Sequence, residues 1–230
     1  MSRKRTYRTF TYREAVFRIC SEKFDAVTAE IVRQRRILEE YIVRHPDFRQ
    51  SLEPLELLAG APEVAQSMAR AAMLVGVGPM AAVAGAMAQY AGRAALEAGA
   101  REVIVDNGGD IYIRAVEPVI IGLKTGTADL DYRLAFSLQA DDTPISICSS
   151  SGKMGHSMSL GECDLATVVA KDAALADAAA TQAANLVRNV DDIDPALENI
   201  SDIEGIDGIM IVKGARVGLA GKLPPFVKIK

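Results

Sequence analysis

The spacing of apolar residues divides the chain into a helical first part and a strand-rich remainder. Over 8–20 apolar and polar positions alternate, with Ala15, Phe17 and Ile19 on one face, which predicts a strand followed by a turn at 21–23. Over 27–44 the interval changes, and Val27, Ile31, Leu38 and Ile42 form a helical stripe. His45-Pro46 ends it, because a residue before proline avoids the helical region. A second helix is predicted from Ala61-Pro62, with Pro62 at the favoured first position, to near Gly76. A third runs from Pro79 to near Gly99, and its Ala81, Ala82, Ala84, Gly85, Ala86 and Ala88 predict close packing on a neighbour.

Beyond Gly99 the pattern predicts strands over 102–106, 110–115, 119–123, 133–139, 144–148 and 165–170. An alanine-rich helix over 172–188 follows, with Asp172 as its N-cap. The acidic stretch 191–204 reads as a surface loop or short helix, and 208–212 with 216–219 as a hairpin about Lys213-Gly214-Ala215. Helices first and mostly sequential strands afterwards predict an α+β fold, a mixed sheet packed with Ala-rich helices. The 230 residues suit a single domain, 1–230, with no internal repeat.

Charge is uneven: residues 1–50 hold 12 Lys/Arg against 7 Asp/Glu, and the rest 14 against 23. Without a recognisable nucleic-acid motif, Arg33, Arg35 and Arg36 read as the solvated face of a helix, and no nucleic-acid partner is expected. Cys20, Cys148 and Cys163, odd in number and without CxxC spacing, argue against a disulfide framework or structural zinc and read as small buried hydrophobes. The basic start MSRKRTYRTFTYRE has no apolar segment behind it, so no signal peptide is expected. The apolar run 69–92 is broken by Gly76, Gly78, Pro79 and Gly85 and carries Arg70, so it predicts buried helices, not a membrane span. A cytoplasmic protein is the expectation.

Four segments carry candidate chemistry. Asp106-Asn107-Gly108-Gly109-Asp110 is a hairpin signal that also delivers two carboxylates to one place. Ser149-Ser150-Ser151-Gly152-Lys153-Met154-Gly155-His156 follows an apolar strand; its hydroxyls, glycines and lysine suit a phosphate, although the Walker spacing is absent. His156 is one of two histidines, and a structural and a ligand-binding role stand equally open. Asp177 and Thr181 lie at i and i+4 on the alanine-rich helix, which stacks two oxygens on one face, as a hard cation such as Mg²⁺ requires. Gly76-Val77-Gly78-Pro79-Met80 is a helix connection or an anion site at a helix start.

Taken together, 77–85, Asn107-Gly108-Gly109-Asp110-Ile111-Tyr112, Ser149–Gly152 with Gly155-His156-Ser157, and Ala176-Asp177-Ala178-Ala179-Ala180-Thr181 resemble the ApbE-like proteins, most closely their shorter cytoplasmic branch. His45-Pro46-Asp47-Phe48 also fits that branch. The resemblance implies an ApbE-like, T-fold-like architecture. In the wider family, Mg²⁺-dependent flavin transferases bind FAD and attach its FMN half to a threonine of a protein acceptor, releasing AMP. Carried over, Asp177 and Thr181 are the metal ligands, Gly78 and Pro79 lie beside the flavin, and Gly108, Gly109 and Asp110 form the turn near the nucleotide. Ser150, Ser151 and Gly152 would hold phosphate, and His156 and Asp177 are the candidate catalytic groups. FAD or FMN and Mg²⁺ are the implied cofactors, with a nucleotide ligand and a protein acceptor as partners, no membrane partner, and a homo-oligomer left open. The family's Asp-Pro-x-Thr-Gly stretch is replaced here by His156-Ser157-Met158-Ser159-Leu160. That departure keeps a second expectation beside the transferase: a non-catalytic small-molecule binding or sensor protein with the same fold.

Overall fold

The computed structural model describes residues 5–125, 134–152 and 161–228. The predicted first strand is a hairpin, β1 (Arg8–Tyr12) and β2 (Ala15–Ser21), turning at Arg13 and Glu14. Arg13 takes a left-handed conformation, φ 53°. No glycine or asparagine marks the turn, and the apolar alternation continues across it, so the pattern reads as one strand. Helices α1 (Phe24–Arg44) and α2 (Asp47–Gln50) flank the His45-Pro46 corner, where Tyr41, His45 and Phe48 stack edge to face or tilted. Arg35 is not on a solvated face. It is pinned by Glu14 of the hairpin, with only 15% of its side chain exposed.

Helix α3 (Glu63–Val75) has Pro62 as its N-cap, one position earlier than predicted, and ends on left-handed Gly76. A 3₁₀ turn, Pro79–Ala82, leads into α4 (Val83–Glu97). The strands β3 (Val103–Asn107), β4 (Asp110–Arg114), β5 (Val119–Gly122), β6 (Leu134–Leu138), β7 (Ile145–Ser150) and β8 (Leu165–Ala170) follow. Helix α5 (Ala173–Leu186) starts at Asp172, whose carboxylate accepts from the N–H groups of Ala174 and Leu175. The acidic stretch resolves into a 3₁₀ turn and α6 (Ile193–Ser201), anchored by buried Ile193, Ala196, Leu197 and Ile200 at helical spacing. Strands β9 (Ile206–Lys213), β10 (Arg216–Gly221) and β11 (Phe226–Lys228) complete the chain, the last unpredicted from its three residues.

Every strand pairing is antiparallel. Eight strands form one sheet in the order β1-β2-β3-β4-β7-β8-β9-β10, and β11-β6-β5 form a second. Alternation along each strand separates two cores. On one face of the large sheet Phe17, Val105, Tyr112, Cys148 and Val168 pack against the helices. On the other, Ile104, Ile113, Ile147, Leu165 and Val169 pack under the small sheet, against Ile121, Leu123, Phe136 and Leu138. The result is helices, large sheet and small sheet in three layers, the α+β architecture predicted, with described sheets that are antiparallel rather than mixed. Among the described residues no single helix is long and apolar enough to cross a membrane.

Candidate functional site

The β3–β4 turn sits at one end of the large sheet and separates two polar clusters on its opposite faces. Gly108 and Gly109 have φ of 71° and 111°, a left-handed pair that favours glycine. The Gly109 N–H donates to Asp106 Oδ1 at 3.0 Å, which closes the turn.

On the helix face, Asp110, Cys148 and Ser150 alternate inward from β4 and β7 toward Asp177 of α5. Asp177 and Asp110 are both buried, 7% and 8% exposed, and close enough to repel. The Asp177 Oδ2 accepts from the Gly85 N–H at 2.8 Å, in the first turn of α4. A helix start offers unpaired N–H groups and a partial positive charge, so it is an anion site. Here the anion is the protein's own carboxylate, and Gly78-Pro79 lead into that helix. The close approach demands glycine: a Cβ on Gly85 would lie 2.1 Å from the Ala173 carbonyl oxygen and 2.9 Å from Asp177 Cβ. Asn107 ties the turn to the same helix start, its Nδ2 donating to the Ala84 carbonyl at 3.2 Å.

Burial is the main electrostatic fact of this cluster. It pushes the Asp177 carboxyl up to about 7, against the opposing N–H groups of Gly85 and Ala84. It also raises Asp110 well above the ordinary carboxylate range, with the Asp177 charge adding to the effect. The Cys148 thiol is driven up by burial and by both carboxylates. Asp110 Oδ1 and Ser150 Oγ are buried without a hydrogen-bond partner among the described residues. Thr181 lies one helical turn beyond Asp177 and is buried beside it on α5.

These groups fit a hard cation by chemistry. The donors are all oxygen: two carboxyls held together without a counter-charge among the described residues, a hydroxyl unpaired among them and the Thr181 hydroxyl. Among the described residues no three His, Cys, Asp or Glu side chains group as metal ligands. The remaining positions would therefore fall to hydroxyl, backbone, water or phosphate oxygens, the kind of shell Mg²⁺ keeps.

On the small-sheet face lies a cavity of about 490 Å³. Gly108, Gly109, Ser149, Ser150 and Ser151 reach it, together with Arg18 and Asp106 from β2 and β3 and Lys124 after β5. Its apolar lining comes from both sheets, Ile111 and Ile147 of the large one and Ile121 and Leu123 from the small-sheet side. The Ser149 hydroxyl shares a 2.9 Å hydrogen bond with that of Thr167.

The structure thus brings Asp110, Ser150, Asp177 and the Gly108-Gly109 turn to one end of the sheet, on two faces rather than in one cavity. Gly78, Pro79 and Asp177 do not line the cavity. Gly78 packs against the Ser51 backbone instead, and Pro79 is buried in the 3₁₀ turn. Gly152 lies outside the cavity lining, and its N–H is spent on the Cys163 carbonyl at 2.9 Å, so it is not free to hold a phosphate. His156 and Lys153 lie outside the described residues. Sequence reading missed Arg18, Lys124 and Cys148. The alternation that turns Arg18 and Asp106 to one face and Asp110 and Cys148 to the other was present, but only the strand order makes them neighbours.

A family model described as AbpE bacteria matches residues 16–205. The chain belongs to this family. A UPF0280 protein of Archaeoglobus fulgidus is 40% identical over 223 residues, covering 94% of this chain and 91% of the relative. Another, from Methanococcus aeolicus, is 38% identical over 202 residues, covering 86% and 82%. Among solved structures, the flavin transferase ApbE from Vibrio cholerae superposes with a TM-score of 0.61 at 13% identity, over 94% of this chain and 96% of that one. The apo form of Pseudomonas stutzeri flavinyl transferase ApbE gives 0.58 at 11%, over 94% of each chain. The ApbE fold is therefore shared over nearly the whole chain.

Proposed function

We propose that this protein binds a flavin nucleotide, FAD or FMN, at the Gly108-Gly109 end of the large sheet, with Mg²⁺ held by Asp177 and Thr181 beside Asp110. The observation that carries the reading is the buried carboxyl pair, Asp110 and Asp177, with no counter-charge among the described residues, set next to a glycine turn that opens on a nucleotide-sized cavity. Two buried carboxyls without a counter-charge are costly unless a cation joins them. When bound, Mg²⁺ would neutralise charge on a pyrophosphate. The Gly85 N–H holds and orients the Asp177 carboxylate, and the apolar lining shared between the two sheets suits a flat ring. The membership in the AbpE family and the fold shared with flavin transferases support the same ligand class.

In the transferase reading the chemistry is phosphoryl-type transfer of the FMN half of FAD to a protein hydroxyl, with AMP leaving. The second reading, a binding protein without transfer, is favoured by one observation: His156-Ser157-Met158-Ser159-Leu160 stands where the family has Asp-Pro-x-Thr-Gly. Misplacing an incoming hydroxyl by about 1 Å costs on the order of a hundredfold in rate. Incubation with FAD, Mg²⁺ and a threonine-bearing acceptor peptide separates the two. Weak or absent AMP release alongside FAD binding is the expected result, and robust turnover with a flavin adduct would establish the transferase.

A further inference from the structure

The cavity on the small-sheet face carries charge that the flavin and metal reading does not use. Arg18 and Lys124 both line it, and Asp106 is its one carboxylate among the described residues. The described lining therefore carries one more cation than anion, in a chain whose net charge is −4. The guanidinium of Arg18 is 3.9 Å from Asp106 Oδ2, too far for a hydrogen bond, and its side chain is 62% exposed. It is steadied over the Tyr7 ring, 5.2 Å from the centroid. Its forked donors thus remain available, and Lys124 has no acceptor partner among the described residues. Burial raises the Asp106 carboxyl above its ordinary range.

We infer that Arg18 and Lys124 form an anion grip that selects ligands bearing a phosphate, held at the edge of the cavity while the ring lies between Ile111 and Ile147 of the large sheet and Ile121 and Leu123 of the small-sheet side. The inference rests on the flavin-nucleotide reading and deepens it: the phosphorylated flavin, not the neutral one, is the preferred occupant. Arginine suits this role because its planar fork matches phosphate oxygens. Asp106 opposes it, and its carboxylate keeps the cavity from holding anions indiscriminately.

The test titrates riboflavin and FMN, by flavin fluorescence, into the wild-type chain and into Arg18→Gln, Arg18→Lys, Lys124→Gln and Asp106→Asn variants. Arg18→Gln and Lys124→Gln each weaken FMN by about tenfold, the effect of one charge-assisted hydrogen bond, and leave riboflavin within about twofold. Arg18→Lys retains part of the affinity. Asp106→Asn, which keeps an acceptor for the Gly109 N–H, tightens FMN severalfold, a gain no merely structural role predicts. Equal losses for both flavins, or an unchanged FMN affinity, would overturn the inference. A parallel arm uses inorganic pyrophosphate and reads the shift in Tm. If neither flavin binds the wild-type chain, the flavin reading fails, and the grip stands or falls on whether pyrophosphate stabilises the wild type but not Arg18→Gln.

Discussion

Replacing Asp177 by Asn isolates the energy stored in the buried carboxyl pair. The Asp177 carboxyl titrates at about 7 in the fold against an ordinary value of 3.8. Its folded value lies above its unfolded value, so between those limits the folded chain binds the extra proton. Stability of the metal-free protein is then highest below about pH 4 as far as this group is concerned, falls as pH rises, and levels off above about 7. At 1.36 kcal/mol per unit, the penalty at pH 8 has a ceiling of about 4 kcal/mol. Asp110, raised in the same direction, adds to it. Asn keeps an oxygen for the Gly85 N–H and removes the charge. Relief of half the ceiling, about 2 kcal/mol, raises Tm by roughly 4–8 °C in a chain of this size. Thermal unfolding of metal-free protein at pH 5 and pH 8 reads the effect. The variant should exceed the wild type at pH 8, with a smaller difference at pH 5, where Asp177 is protonated in the fold but ionised in the unfolded chain. Saturating Mg²⁺ should reverse the order at pH 8, since a cation at about a hundred times its Kd stabilises the wild type by about 2.7 kcal/mol. A variant less stable than the wild type by the same amount at both pH values would refute the reasoning, because Asp177 would then be a structural cap and not a strained charge.

Gly85→Ala should cost about 3 kcal/mol or more and lower Tm by roughly 6–12 °C, because the new methyl meets a backbone oxygen that cannot yield; a change below about 1 °C would mean α4 and α5 are not locked together. The three cysteines, all buried, should resist iodoacetamide at pH 8 in native buffer and react within minutes in denaturant. Burial raises the Cys163 thiol to about 11 and pushes Cys148 well above its ordinary range, and mass spectrometry counts the adducts. Native labelling of Cys148 would show that the carboxyl cluster opens to solvent.

Much of the fold was legible because the apolar spacing is consistent within each element. Val27, Ile31 and Leu38 mark α1, Asp172 caps α5, and β8 matches its predicted limits. The β1–β2 hairpin was not, since Arg13 bends the chain without a turn residue to announce it. The acidic residues on the outer face of α6 left it open between a loop and a short helix, although its four buried positions carried the helical interval. Of the site, Asp110 and Asp177 were visible as residue types at suggestive positions, and the glycine turn as a turn. Their division between two faces was not, because it depends on the antiparallel order that sets β7 beside β4 and α5 across both. Arg18 looked like any outward residue of an alternating strand until the small sheet roofed its face.

Calorimetry of FAD binding with and without Mg²⁺, in the wild type and in Asp177→Ala, tests the proposed site most directly. Tighter binding with Mg²⁺ than with EDTA in the wild type, and no difference in Asp177→Ala, is the predicted result. Equal affinity in Mg²⁺ and EDTA for the wild type, or no binding of FAD in either, would contradict a cation-assisted flavin-nucleotide site at Asp177.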